Sequence, residues 1–187
     1  MAGTMLDRRW RLTGIAVAAG ILGTAGLYGN LRPNPDVVWR EIEWPFLRDA
    51  WPKGRAFRCE SGDCNQGVEV YVRPKIGFCN CTAGVADDDE VDRVADLDLI
   101  GDRFIPVEIG QSVRIADMPG RARFYNLQMP NGTVRAAAGF AVARRCDLVV
   151  AVAQGKFAAP AELQRAALDL LSSGRVMAWL NSLLGSG

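Results

Sequence analysis

The sequence predicts an α+β protein: an N-terminal transmembrane helix, then a soluble domain whose antiparallel sheet is packed by a C-terminal amphipathic helix. Three observations carry that expectation. Residues 12–31, LTGIAVAAGILGTAGLYGNL, run without a charge. Residues 103–155 alternate short runs rich in Val, Ile and Phe with turn residues, including the Asn-Gly of PNGT, a hairpin signal. Residues 160–184 place Leu163, Ala166, Ala167, Leu170 and Leu171, then Val176, Met177, Leu180, Leu183 and Leu184, at helical spacing. A helix packed on the open face of an antiparallel sheet is one of the few stable layer arrangements.

Composition bounds the rest. The chain has 187 residues, enough for one domain and a tail, and 49% of them are hydrophobic, enough for a core. Lys and Arg total 22 against 21 Asp and Glu, so no basic surface is set aside for nucleic acid. There is no histidine. That excludes Ser–His and Cys–His catalysis and removes the commonest metal ligand. No P-loop, nucleophile elbow or dinucleotide fingerprint occurs in the sequence.

At the N-terminus, Arg8, Arg9 and Arg11 precede the uncharged run. As a helix the run would cover about 30 Å, the thickness of a bilayer's hydrocarbon core. The positive-inside rule then puts residues 1–11 in the cytoplasm as a basic tail and 12–31 across a bacterial inner membrane as a single-pass anchor. Residues 32–56 read as a Pro/Trp-rich linker, and 57–187 as a periplasmic α+β domain. A cleaved signal peptide shares the same pattern and is the alternative. Gly20, Gly23 and Gly26 would let a second helix approach closely in the bilayer. The expected partners are therefore the lipid bilayer and a membrane protein.

The linker holds Pro33, Pro35, Pro45 and Pro52, which break long regular elements, together with Trp39, Trp44, Phe46 and Trp51. Trp39 suits the membrane interface. The other rings either pin an extended segment onto the domain or form an aromatic docking strip.

Cys59, Cys64, Cys79 and Cys81 form a cluster of spacing C-x4-C-x14-C-x-C. In an oxidising compartment the default is structural disulfides, with three possible pairings. Four thiolates would also suit zinc or copper(I). A strained C-x-C pair would suit thiol exchange. Cys146, inside FAVARRCDLVVAVA, reads as a buried free thiol.

The acidic run DDDEVDRVADLDLIGD follows the cluster. It fails as a calcium loop, because the sixth position from Asp87 is Asp92 and not Gly. Asp87 and Glu90 instead fit a capping box at the start of a short helix with Val91, Val94 and Ala95 on one side. Beyond it, RFIPVEIG, QSVRIADMPG, GRARFYNLQM, VRAAAGFAVARR and CDLVVAVAQG read as strands of a meander. Pro160 opens the closing helix, which breaks at SSG.

The order of hairpins in RARFYNLQMPNGTVRAAAGFAVARRCDLVVAVAQG, followed by a closing helix, resembles the PsbP/DcrB-like α+β fold over roughly residues 100–184. The resemblance is one of strand and helix order. It implies an accessory or binding role and no catalytic residues to carry over. The resulting expectation is a non-enzymatic, membrane-anchored periplasmic accessory or assembly protein of a membrane complex, with a disulfide-stabilised domain and no cofactor. Thiol–disulfide or Zn/Cu handling at the four-cysteine cluster, and small-ligand binding between sheet and helix, stand beside it.

Overall fold

Residues rich in Val, Ala and aromatic side chains at period two build the sheet. The computed structural model describes residues 38–47, 49–61, 64, 67–78, 81–156 and 158–184. The strands are β1 (Trp39–Ile42), β2 (Arg55–Cys59), β3 (Glu69–Lys75), β4 (Arg103–Pro106), β5 (Gln111–Ile115), β6 (Met118–Gln128), β7 (Val134–Arg144) and β8 (Asp147–Gly155). The helices are α1 (Asp88–Val94), α2 (Pro160–Leu171) and α3 (Gly174–Leu183), with a 3-10 turn at Leu97–Leu99. All eight strands join one antiparallel sheet in the order β1-β2-β3-β8-β7-β6-β4. β5 pairs with the first half of β6, on the same flank as β4.

The alternation of β8 defines the two faces. Val149, Ala151 and Ala153 point to one side, and Leu148, Val150 and Val152 to the other. Both sides are covered, so β7 and β8 read as nearly continuous apolar runs rather than as alternating ones. On the first face Phe57, Val70, Val72, Phe140 and Val142 pack with Leu163, Ala167, Leu170 and Leu171 of α2 and Val176 and Leu180 of α3. Each such Leu, Phe or Val contributes about 1.5–3 kcal/mol by leaving water. On the second face Tyr71, Ala137, Ala141, Tyr125 and Leu127 pack with Val91, Val94, Leu97, Ile100 and Trp44. Gly139 permits this contact, since a Cβ there would lie 3.0 Å from the Tyr125 ring and 3.1 Å from Ala95.

Local chemistry sets the helix ends. Pro160 occupies the first turn of α2, and the Glu162 carboxylate accepts from the Ala159 N–H at 3.1 Å. Ser172 ends α2; Ser173 then caps α3 by accepting from the Val176 N–H at 3.4 Å.

The expected architecture needs correction. The described chain is mostly antiparallel sheet, eight strands against three short α-helices, where the sequence predicts a transmembrane helix followed by a soluble domain with an antiparallel sheet packed by a C-terminal helix. The longest described helix has 12 residues, and among the described residues no helix is long and apolar enough to cross a membrane. Residues 12–31, with Gly20, Gly23 and Gly26, lie outside the described residues. The supposed linker also differs from expectation. Residues 39–42 pair with 56–59 as the outer two strands of the sheet. Four prolines rule out one long element there, but short strands fit between them.

Candidate functional site

The second face of the sheet carries the polar chemistry. In β3, Val70 and Val72 turn to the apolar face while Glu69, Tyr71, Arg73 and Lys75 turn to the other, as period two requires. Arg73 is only 3% exposed. Its Nε and Nη2 donate to Asp96 at 2.5 and 2.8 Å. Its Nη1 and Nη2 donate to Asp49 at 2.9 and 2.8 Å. Lys75 is buried beside it, and its Nζ reaches Asp96 Oδ1 at 2.7 Å and the Val94 carbonyl at 2.9 Å. Asp96 follows α1 in the left-handed region, at φ 59, where Asp is tolerated better than most residues. That turn aims its carboxylate back at the sheet.

Two cations and two carboxylates therefore balance on a buried floor. Burial works against the charge of Arg73, but Asp96 and Asp49 outweigh it and hold the guanidinium above its usual pKa. The bond from Arg73 pulls Asp49 down to about 2.

The connection between β1 and β2 folds over this floor and supplies rings. Trp44, Phe46 and Tyr71 meet edge to face, with centroids 5.1, 6.2 and 4.8 Å apart. Trp51 meets Phe78 at 5.0 Å. Arg73 stands 5.9 Å from the Trp44 ring, and Lys75 stands 5.7 Å from the Trp51 ring. Gly54 lets the chain return this closely: a Cβ there would lie 2.5 Å from the Trp44 ring and 2.7 Å from Arg73 Cβ. Between these groups is a groove of about 580 Å³, walled by Trp44, Phe46, Leu47 and Trp51, with Asp49 and Arg73 at its floor. Lys53 stands exposed at its lip, without an ion-pair partner among the described residues.

Two further networks tie the same face together. Glu69 accepts from the Tyr71 hydroxyl, from Arg58 Nε at 2.9 Å and from Gln154 at 3.1 Å. Burial opposes the Glu69 charge, yet these donors hold its carboxyl below the usual value; burial and the Glu69 charge push the Tyr71 hydroxyl up. In α1, Asp88 accepts from the Gly110 N–H at 2.9 Å and from Arg121 at 2.6 Å. Asp92 accepts from Arg123 at 2.8 Å and from the Tyr125 hydroxyl at 2.6 Å. These bonds fix α1 on β6. The partnered charges make a scaffold, and none of them stands poised as a base or nucleophile.

The cysteines divide between two places. Cys59 pairs with Cys64, and Cys81 pairs with Cys146, 65 residues away. Cys146, expected as a free thiol, is thus bonded. Antiparallel pairing explains it: Lys75 lies opposite Leu148, so the chain leaving β3 emerges beside the turn that enters β8. Cys79 lies outside the described residues. Among the described residues no group of three or more Cys, Asp or Glu converges as a metal site. The Cys81–Cys146 pair borders a shallow groove of about 760 Å³ with Asp117, Arg144, Arg145 and Asn181. Asp87 caps α1 by accepting from the Glu90 N–H at 2.9 Å, while the Glu90 carboxylate turns to Arg93 at 3.3 Å.

Sequence reasoning missed the Arg73–Lys75–Asp96–Asp49 floor. A signal was present. Charges at 69, 73 and 75 flank Tyr71 on one face of a strand whose other face is Val.

No protein-family model and no curated protein matches the chain. Among solved structures, the crystal structure of PA94, a protein of unknown function from Pseudomonas aeruginosa, is similar. It is 14% identical over 81% of this chain and 83% of that one, with a TM-score of 0.33. That likeness is too distant to carry an argument.

Proposed function

We propose that this domain is a non-enzymatic accessory module that docks on a partner protein in an oxidising compartment such as the periplasm. The contrast between the two edges of the sheet carries the reading. At the β1 edge, Arg40 pairs with Glu60, and Glu41 pairs with Arg175 and, at 3.7 Å, with Arg55. Charges of this kind guard an edge against association. The β4 edge carries Pro106 and an exposed Arg103, but among the described residues no ion pair runs along it. Ile105, Val107 and Ile109 occupy every second position and are 62%, 54% and 81% exposed. The row starts on β4 and continues into the β4–β5 connection, and such a run of exposed aliphatic side chains marks an interaction surface.

The occupant that suits it is an apolar segment of a partner protein. Pro106 in β4 has no N–H to give, so a full backbone ladder is denied and side-chain contact carries the docking. The paired cysteines support an oxidising setting. They support a structural role over metal handling, because the described sulfurs stand in two separate pairs. A membrane setting rests on the uncharged stretch 12–31 alone.

A photo-crosslinking residue at position 109, in cells producing the full chain, is expected to give one discrete adduct; the same residue at position 40 is expected to give none. The adduct should vanish in the variant Ile105→Asp with the fold intact by circular dichroism. Equal adducts at both positions, or none at 109, would sink the proposal.

A further inference from the structure

We propose that the groove over Arg73 is a binding site for a small aromatic or branched-aliphatic carboxylate, and that Asp49 is its built-in occupant. Arg73 offers two edges of its guanidinium. One is taken by Asp96, which is mostly buried, stands just past the Ala95 cap of α1 and also holds Lys75. That partner is fixed. The other edge is taken by Asp49, whose side chain is 33% exposed and faces the groove. Asp49 sits between Pro45 and Pro52, on a connection whose described residues form no helix or strand. That partner is replaceable.

The charge balance says what would replace it. With Asp49 withdrawn, Arg73 and Lys75 face Asp96 alone, which leaves one uncompensated positive charge on a buried floor. An isolated buried charge is costly, so an incoming anion is favoured. The vacant edge is a planar two-donor fork, which matches a carboxylate. The walls say what the rest of the ligand is. Trp44, Phe46 and Trp51 supply ring surface, and Leu47 stands 92% exposed at the margin. An apolar body would cover that surface while the head takes the fork. Lys53 at the lip adds attraction for the anion. The volume of about 580 Å³ falls in the range of ligand pockets, roughly 300–1,000 Å³.

Binding is therefore an exchange of one carboxylate for another, with the Asp49 side chain turning out to solvent while Trp44, Phe46 and Trp51 keep their places. The site lies on β3 and the β1–β2 connection, away from the β4 edge, so it stands or falls independently of the docking proposal.

The experiment compares wild type with Asp49→Gly, using indole-3-acetate as probe and its uncharged amide as control. Removing Asp49 removes the competitor, so the variant is expected to bind the acid at least about tenfold tighter than wild type, a gain of roughly 1.4 kcal/mol. Both proteins should prefer acid to amide. Acetate is expected to raise the unfolding temperature of the variant, and sodium chloride at equal ionic strength is not. If Asp49→Gly fails to fold, Asp49→Asn keeps the side-chain volume and is read the same way. Equal binding of acid and amide overturns the proposal. So does stabilisation by acetate without binding of the aromatic acid, which would make Asp49 a structural plug only.

Discussion

The two faces of the sheet are built on opposite plans. One is closed by α2 and α3 over an apolar core of Phe57, Phe140, Leu163, Leu180 and their neighbours, with ions such as Arg175 kept at its margin. The other is closed by α1, a 3-10 turn and the β1–β2 connection, and interleaves rings with buried ions. The first face needs only shape and volume to hold its cover. The second holds its cover by named pairs, each of which can be broken or exchanged.

The largest expected effect tests this contrast directly. Arg73→Met leaves Asp49 and Asp96 without their shared cation and should cost about 5 kcal/mol, the upper end for breaking a buried pair. Leu163→Ala on the apolar face should cost about 3 kcal/mol. The sharper measurement is the double variant Arg73→Met with Asp49→Leu. It leaves Lys75 and Asp96 balanced, so it should be markedly more stable than Arg73→Met alone. No pair on the apolar face should show such coupling. Denaturant titrations of these three variants and of Asp49→Leu alone decide it; additive losses at 49 and 73 would refute the ion-exchange view of this face.

The same contrast explains what the sequence makes legible. The closing helices and their break at Ser172–Ser173 are local patterns, with apolar residues at helical spacing and caps within three residues. β6 to β8 are legible because tight turns join them. The polar floor is not. Arg73 meets Asp96 and Asp49 across 23 and 24 residues, and no local period links them. The Cys81–Cys146 pair spans 65 residues, and its nearness follows only once β3 is placed beside β8. β1 and β2, of four and five residues, are too short for alternation to stand out among prolines. The sheet is larger than the sequence suggests for the same reason: helices announce themselves locally, and β1 and β2 do not.

The next effect in size concerns the covers. The Cys81–Cys146 bond ties the chain just before α1 to the β7–β8 turn. It closes a long loop in the unfolded chain, worth about 4 kcal/mol on the chain-entropy account. Cys81→Ser with Cys146→Ser should lower stability by about that much. Hydrogen exchange should then rise first in α1 and the 3-10 turn, while α2 keeps its protection. Uniform loss of protection across both covers would show that the two faces are not separable.

The smallest effect is a slope with pH, and its sign differs between the faces. On the polar face, Asp49 titrates near 2 because Arg73 bonds it, against about 3.9 unfolded. A carboxylate lowered in the folded state gives stability that is present above pH 4 and lost as pH falls from about 4 toward 2. Asp49 is one-third exposed, so screening reduces its share to about 1 kcal/mol. Glu69 and Asp88 are lowered as well and add to the same slope. In α2, on the apolar face, burial raises Asp169. A carboxylate raised in the folded state works the other way: its contribution is full in acid and is lost as pH rises through the folded value. Acidification should therefore loosen the cover of the polar face while it steadies α2. Amide exchange followed from pH 6 down to about pH 3 should show protection falling in α1 before α2, and Asp49→Asn should flatten the acid limb of the stability curve. Protection lost first in α2 would reverse the assignment of which face responds to protons.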